Sequence, residues 1–196
     1  MTTHSTDDKK QLILDHEIML AQLLARQVLD KPKPPLWMIF VPVFFVFFIQ
    51  KMNQYKSGLE DFVENYLKSR RHALEAAVVA QESGSAVNME ALLEQIDTIP
   101  PQARPMFAEW MAMLIEHYLL LLTSTGSNHA ALVRNAYRNK TNYLLFRNCL
   151  NKAENAYNTA LLPEMQGDSQ DIHHIIQKMD LCVTELRRQE ADEIFS

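Results

Sequence analysis

The sequence predicts an all-α fold, and three observations favour it. Only four of the 196 residues are glycine and eight are proline, so long segments lack chain breakers. Those segments are rich in Ala, Leu, Glu, Gln, Lys, Arg and Met, the residues with the highest helix propensity. No segment shows the strict alternation of apolar and polar residues that is typical of strands. We therefore expect a helical bundle, with two further segments on its N-terminal side.

The first segment, residues 1–33, is predicted to be an amphipathic helix followed by a Lys/Pro linker. Apolar residues such as Ile13 and Leu24 recur with helical spacing and form one face. Polar residues, Glu17 among them, are expected on the opposite, solvated face. The sequence Asp-Lys-Pro-Lys-Pro-Pro at 30–35 ends this helix, because proline lacks the amide donor that a helix interior needs.

The next segment, residues 34–50, contains fourteen consecutive apolar residues and is predicted to associate with a membrane. As a helix, such a run covers roughly 21 Å, which is less than the roughly 30 Å of a bilayer core. Pro42 stands in the middle of the run and predicts a kink near Met38. The residues expected to contact lipid are Leu36, Trp37, Phe40, Pro42, Phe44, Phe45, Phe47 and Phe48.

Three placements of this Phe-rich run, residues 36–49, are compatible with the sequence. Lysines at both edges, Lys31 and Lys33 before it and Lys51 and Lys56 after it, favour a Pro-kinked segment that is re-entrant or lies in the membrane plane. The second placement is a short spanning helix in a thinned bilayer. The third is a helix buried in a soluble core or a partner interface. The N-terminal residues do not resemble a secretory signal, so the bulk of the chain is expected to be cytoplasmic.

Residues 57–196 are predicted to form the helical bundle domain. Ser57 is expected to cap the first bundle helix, with Arg70 on its solvated face. The helix predicted at 105–123 is nearly all apolar. It is expected to be the central helix of the bundle, because a helix that is apolar all round must be buried. Beyond the first, the predicted bundle helices cover 89–96, 105–123, 128–162 and 169–194.

Composition limits the partners. The net charge of −5 argues against nucleic acid, since binding phosphate requires a basic surface. Cys149 and Cys182 do not form a disulfide framework or a zinc motif, and both are expected to be small buried residues on apolar helix faces. The sequence predicts no cofactor and no metal.

One group of polar residues is a candidate buried network. Glu109 and Glu116 are seven residues apart on the apolar helix, with His117 next to the second. Buried carboxylates need partners, and Arg134 and Arg138 on the following helix are the obvious donors. The alternative interpretation is a metal or proton-transfer site formed by the two glutamates, His117 and His129. We favour an ion-pair network that only stabilises the fold, because buried ion pairs in proteins have a structural role more often than a catalytic one.

No catalytic motif is present, and no residue is assigned a catalytic role. The sequence favours a membrane-associated helical scaffold or adaptor, with membrane lipid and either a protein partner or a second copy of itself as partners. One alternative is a soluble helical adaptor whose Phe-rich run docks in the groove of another protein. The other is an enzyme that acts on a lipid-like substrate through Glu109, Glu116, His117 and Arg134.

Overall fold

The computed structural model describes residues 5–29, 42–94, 99–161, 163 and 169–196. Within these ranges the chain forms seven α-helices and no strand, which confirms the all-α prediction. The helices are α1 Thr6–Val28, α2 Pro42–Ser83, α3 Met89–Glu94, α4 Arg104–Thr123, α5 His129–Tyr137, α6 Lys140–Leu161 and α7 Ser169–Ile194.

Helix α4 is the central helix, as its apolar sequence predicts. It contacts α1, α2, α3, α5 and α6. Tyr118, Leu121 and Leu122 of α4 are completely buried. The stretch Pro101–Thr123, which is α4 with the short turn before it, is long and apolar enough to cross a membrane, and half of its apolar window is buried inside the bundle. The core helix of a bundle meets the same criteria, so this stretch gives only weak support for membrane contact.

Helices α1 and α2 form an antiparallel pair. Lys10 near the start of α1 bonds Glu75 near the end of α2, at 2.6 Å between Nζ and Oε2. At the other end of the pair, a Cβ at Gly58 would lie 3.9 Å from Leu29, just after α1 ends. The chain before the Phe-rich run is therefore packed directly against the chain that follows it.

Helix α2 begins earlier than the sequence predicts. Ser57 does not cap a helix, because α2 runs without a break from Pro42 to Ser83. Of the predicted lipid-contacting residues, Leu36, Trp37 and Phe40 lie outside the described residues, as does the expected kink at Met38. For Pro42, Phe44, Phe45, Phe47 and Phe48, only the helical backbone is described.

The long helix predicted from Asn128 to Leu162 is wrong, because two helices meet at Arg138. Arg138 has φ of 70°, in the left-handed region, and separates α5 from α6. The amide of Asn139 donates to the carbonyl of Tyr137 at 2.8 Å, which closes a tight turn around Arg138. No glycine marks this position, but Oδ1 of Asn139 accepts from the amide of Asn142 at 2.9 Å and caps α6, so this asparagine was an available signal.

The other predictions are met more closely, apart from one cysteine. Helix α7 has the predicted bounds, and α3 is the predicted short helix between α2 and α4. Ser5 caps α1 through a capping box with Asp8. Cys182 is half-buried, but Cys149 is exposed, so its predicted burial is wrong.

Replacing Arg138 by glycine should stabilise the fold. Glycine adopts positive φ at little cost, whereas an L-residue there is strained, so the free energy of unfolding should rise by about 0.5–1 kcal/mol. Urea unfolding followed by circular dichroism would measure it. Asn139→Gly is the control, because Asn139 does not have positive φ, and that change should not stabilise. A loss of stability in Arg138→Gly would contradict the strained-turn interpretation.

Candidate functional site

The predicted buried network does not form. Glu109 and Glu116 are exposed, as are Arg134 and Arg138. Helix α4 has one solvent-exposed face. The two glutamates are seven residues apart, so both lie on that face. The guanidinium of Arg134 donates instead to the backbone oxygen of Ile194, at 2.8 Å. Of the five predicted members, only His117 is buried.

His117 occupies an aromatic pocket in the core. Its Nδ1 lies 2.7 Å from the hydroxyl of Tyr137, and its ring stacks on Phe146 with 4.7 Å between centroids. Burial, with a smaller contribution from the positive charge of Arg147, holds the pKa of His117 well below its ordinary value. His117 is therefore a neutral core residue. It does not share a site with Glu109 and Glu116, which were predicted to form a network with it.

A different set of charged residues is buried at the centre of the bundle. We call Glu17, Arg70, Glu154 and Arg187 the central ion network. Nε of Arg70 lies 3.1 Å from Oε2 of Glu17, and its NH2 donates to Oε1 of Glu154 at 2.9 Å. NH2 of Arg187 completes the network at 3.1 Å from Oε2 of Glu154. The four side chains are 3–7% exposed, and their two positive charges balance two negative ones.

Aromatic side chains surround the central ion network. The guanidinium of Arg70 lies over the ring of Tyr66, 3.6 Å from its centroid, and the hydroxyl of Tyr118 donates to Glu17 at 3.0 Å. Burial alone would raise the pKa of the Glu154 carboxyl, but Arg70 and Arg187 outweigh burial and hold that pKa below its ordinary value of 4.5. Glu154 is therefore ionised in the folded protein at neutral pH.

A second charged group lies where α1, α5, α6 and α7 meet. NH2 of Arg147 donates to Oε2 of Glu190 at 3.0 Å, and Nε of Arg147 donates to the hydroxyl of Tyr143 at 2.8 Å. Nε2 of His16 lies 2.9 Å from Oε1 of Glu190. Although burial opposes ionisation, Arg147 and His16 hold the pKa of Glu190 far below its ordinary value. Arg147 thus contacts both oxygens of Glu190, at 3.0 and 3.3 Å, and His16 shares Oε1.

His129 lies directly against His16. The two rings are parallel within 9°, with 3.5 Å between centroids. Burial first, and then the electrostatic effect of the neighbouring His16, hold the pKa of His129 well below its ordinary value. A potential ligand atom of His16, of His129 and of Glu190 lies within 4.8 Å of the other two, so these residues could hold a metal ion. We call this group the His/His/Glu cluster.

Sequence reasoning missed the central ion network, and of the His/His/Glu cluster it named only His129, as a candidate metal ligand in a different group. Glu17 and Arg70 were expected on solvated faces because they are charged, yet both are buried. Glu17 follows the buried Ile13 by four residues and precedes the buried Leu20 by three. That spacing places Glu17 on the apolar stripe of α1, and a charged residue within such a stripe was the available signal.

The chain matches no protein-family model, no curated protein and no solved structure. A function for this protein therefore has to be argued from its own residues and their geometry.

Replacing Glu154 by glutamine should destabilise the fold strongly. The change removes the carboxylate that Arg187 pairs with and leaves Arg70 with Glu17 alone, and stranding a buried charge costs on the order of 3 kcal/mol. The matched control is Glu64→Gln, which removes the exposed partner of Arg71 and should leave stability unchanged. Denaturant unfolding of both variants measures the difference. Equal effects would show that the central ion network contributes no more than a surface pair.

Acid should destabilise the protein through the same carboxylate. Because the pKa of Glu154 is lowered on folding, its contribution is complete above its ordinary value of 4.5 and is lost as the pH falls below it. The urea midpoint should therefore fall with decreasing pH between about 4.5 and 3. Over that range Glu154→Gln should show a shallower fall than the wild type. Parallel curves for the two proteins would contradict this assignment.

Proposed function

We propose that the protein is a membrane-attached helical adaptor: the Phe-rich run binds lipid, and the bundle presents its surface to a partner on the cytoplasmic side. The observation that carries the proposal is the run itself, residues 36–49, which has no polar side-chain atom apart from the indole nitrogen of Trp37. Such a surface is unfavourable in water and favourable in hydrocarbon, at roughly 25 cal/mol per Å² buried.

Helix α2 supports the proposal by its continuity. The second half of the run forms the first two turns of α2, which continues into the bundle without interruption. From Pro42 to Gly58, where α2 reaches the end of α1, the helix covers roughly 24 Å. A segment held by lipid is thus joined to the bundle by continuous helical backbone rather than by a linker.

The packing of α1 supports a re-entrant or in-plane run over a spanning one. Helix α1 precedes the run, yet it packs against α2, α4 and α7, which follow it. A single crossing would place α1 on the opposite side of the bilayer from the helices that bury its apolar face. A segment that enters and leaves on one side keeps the bundle intact.

The bundle has a well-filled core made of its own helices. The larger apolar cluster joins residues of α1, α2, α4, α5, α6 and α7, including Phe107, Leu114 and Leu150. A smaller one joins Leu24 and Val28 of α1 with Val183 of α7. This supports a run that serves attachment rather than the core. Docking of the run in a partner protein is the rival function, and the experiments below separate the two.

Replacing Phe44, Phe45, Phe47 and Phe48 by serine should move the protein from the membrane to the soluble fraction. Each change removes a large apolar side chain from the predicted lipid-binding surface and leaves in place every residue of the two core clusters in the described part of the chain. Flotation with vesicles of purified phospholipid, which contain no other protein, measures the effect. The helical circular-dichroism signal should be retained.

The matched control replaces four exposed apolar residues of the bundle by serine: Val79, Leu120, Leu145 and Leu181. This variant should float with the vesicles as the wild type does. Loss of the global fold in the phenylalanine variant would assign the run to the core. A wild type that stays monomeric in buffer and does not float would contradict membrane attachment.

Labelling from one side of sealed vesicles should report the re-entrant topology. Gln27 in α1 and Ser196 at the C-terminus are exposed and flank the run on either side in sequence. Single cysteines at these positions should react with an impermeant maleimide from the same side. Cys149 is exposed and must first become serine, together with the half-buried Cys182. Labelling from opposite sides would establish a spanning helix.

A further inference from the structure

A cavity between α1, α5 and α7 opens onto the His/His/Glu cluster. Its volume is about 380 Å³, and His16, His129 and Glu190 all lie on its wall. The cavity is further lined by the apolar side chains of Met19 and Leu23. Two imidazoles and a carboxylate thus meet a space large enough for a small ligand, a setting in which proteins bind metals with open coordination positions.

We propose that His16, His129 and Glu190 bind one divalent first-row transition metal ion, of the Zn²⁺ or Fe²⁺ class, with its remaining coordination positions facing this cavity. The site does not depend on membrane attachment, since all three ligands belong to the bundle. Two imidazoles and one carboxylate are a set used by catalytic zinc and by non-haem iron sites.

The distances suit a shared ion. Two ligand atoms that each lie about 2.1 Å from one metal ion are about 3–3.5 Å apart. Nε2 of His16 and Oε1 of Glu190 are 2.9 Å apart, and the ligand atom of His129 lies within 4.8 Å of both. Because the two imidazole rings are stacked within 9° of parallel, their in-plane lone pairs do not converge on one point, so the His129 ring has to turn for all three groups to bind one ion.

The surroundings are those of a supported ligand set. Arg147 lies 3.0 Å from Oε2 and 3.3 Å from Oε1 of Glu190, and Oε1 also faces His16 at 2.9 Å. Tyr143 in turn accepts a hydrogen bond from Arg147 and so orients the guanidinium that contacts the carboxylate of Glu190. Outer partners of this kind orient metal ligands and raise the affinity of a site.

The His16–Glu190 contact does not satisfy the polar atoms of the cluster. Nδ1 of His16 is buried and has no hydrogen-bond partner among the described residues, although the side chain is only 10% exposed. A purely structural histidine at this depth usually has both ring nitrogens bonded. The parallel stacking of a second imidazole at 3.5 Å adds no hydrogen bond to either ring. An ion bound by Nε2 of His16 leaves Nδ1 without a partner among the described residues.

Equilibrium dialysis of the full-length protein in detergent against micromolar Zn²⁺, followed by elemental analysis, tests the site. The wild type should retain one ion per chain. His16→Gln and His129→Gln should each bind at least about tenfold more weakly. The matched control is His72→Gln, which changes an exposed histidine of α2 away from the cavity and should leave binding unchanged. Fe²⁺ under anaerobic conditions is the second arm and separates an iron-selective site from a zinc site.

A second measurement on the wild type covers the case in which the variants fail to fold. Titration with Zn²⁺ should shift the ring proton signals of His16 and His129 in the NMR spectrum and leave that of His72 in place. A wild type that retains neither metal, or an equal loss of binding in His72→Gln, would overturn the proposal. Shifts at His72 without shifts at His16 and His129 would do the same.

Discussion

Arg70 lies in the middle of the bundle with its guanidinium between carboxylates of two other helices. Taking a charge out of water costs several kcal/mol per ion, so this side chain is tolerated only where Glu17 and Glu154 both reach it. Arg187 then balances the second carboxylate. Four helices, α1, α2, α6 and α7, each contribute one charge. The four helices must therefore be aligned along the bundle axis so that their charged groups meet. Apolar stripes alone would allow one helix to slide further along another.

The sequence predicted the helices better than it predicted their contacts. Local signals sufficed for α7, whose bounds agree with the structure, and for α4, whose apolar composition predicted its central place. The turn at Arg138 was missed because the left-handed residue there is not glycine, although Asn139 beside it is a typical capping residue and caps α6. Local signals also failed at Ser57, where a residue suited to capping lies inside a continuous helix.

The candidate sites were harder to predict because their members are distant in sequence. Glu17 pairs with Arg70, and His16 meets His129 and Glu190, so no local spacing connects the partners. A charged residue judged by itself is correctly assigned to solvent, since an unpaired buried charge is costly. A charged residue can be assigned to the core only when its oppositely charged partner on another helix is known. Glu109 and Glu116 show the opposite case: they were grouped by their spacing on α4, and that spacing proved to be the exposed line of the helix.

Helix α1 connects these features. His16 and Glu17 are adjacent, so their side chains point about 100° apart, the first toward the His/His/Glu cluster and the second toward the central ion network. The same helix ends at Val28, immediately before the linker to the Phe-rich run. A displacement of the run that pulled α1 away from α2 would separate Glu17 from Arg70 and His16 from Glu190 together. An ion held by His16, His129 and Glu190 would bind α1 to α5 and α7, and would therefore oppose that displacement.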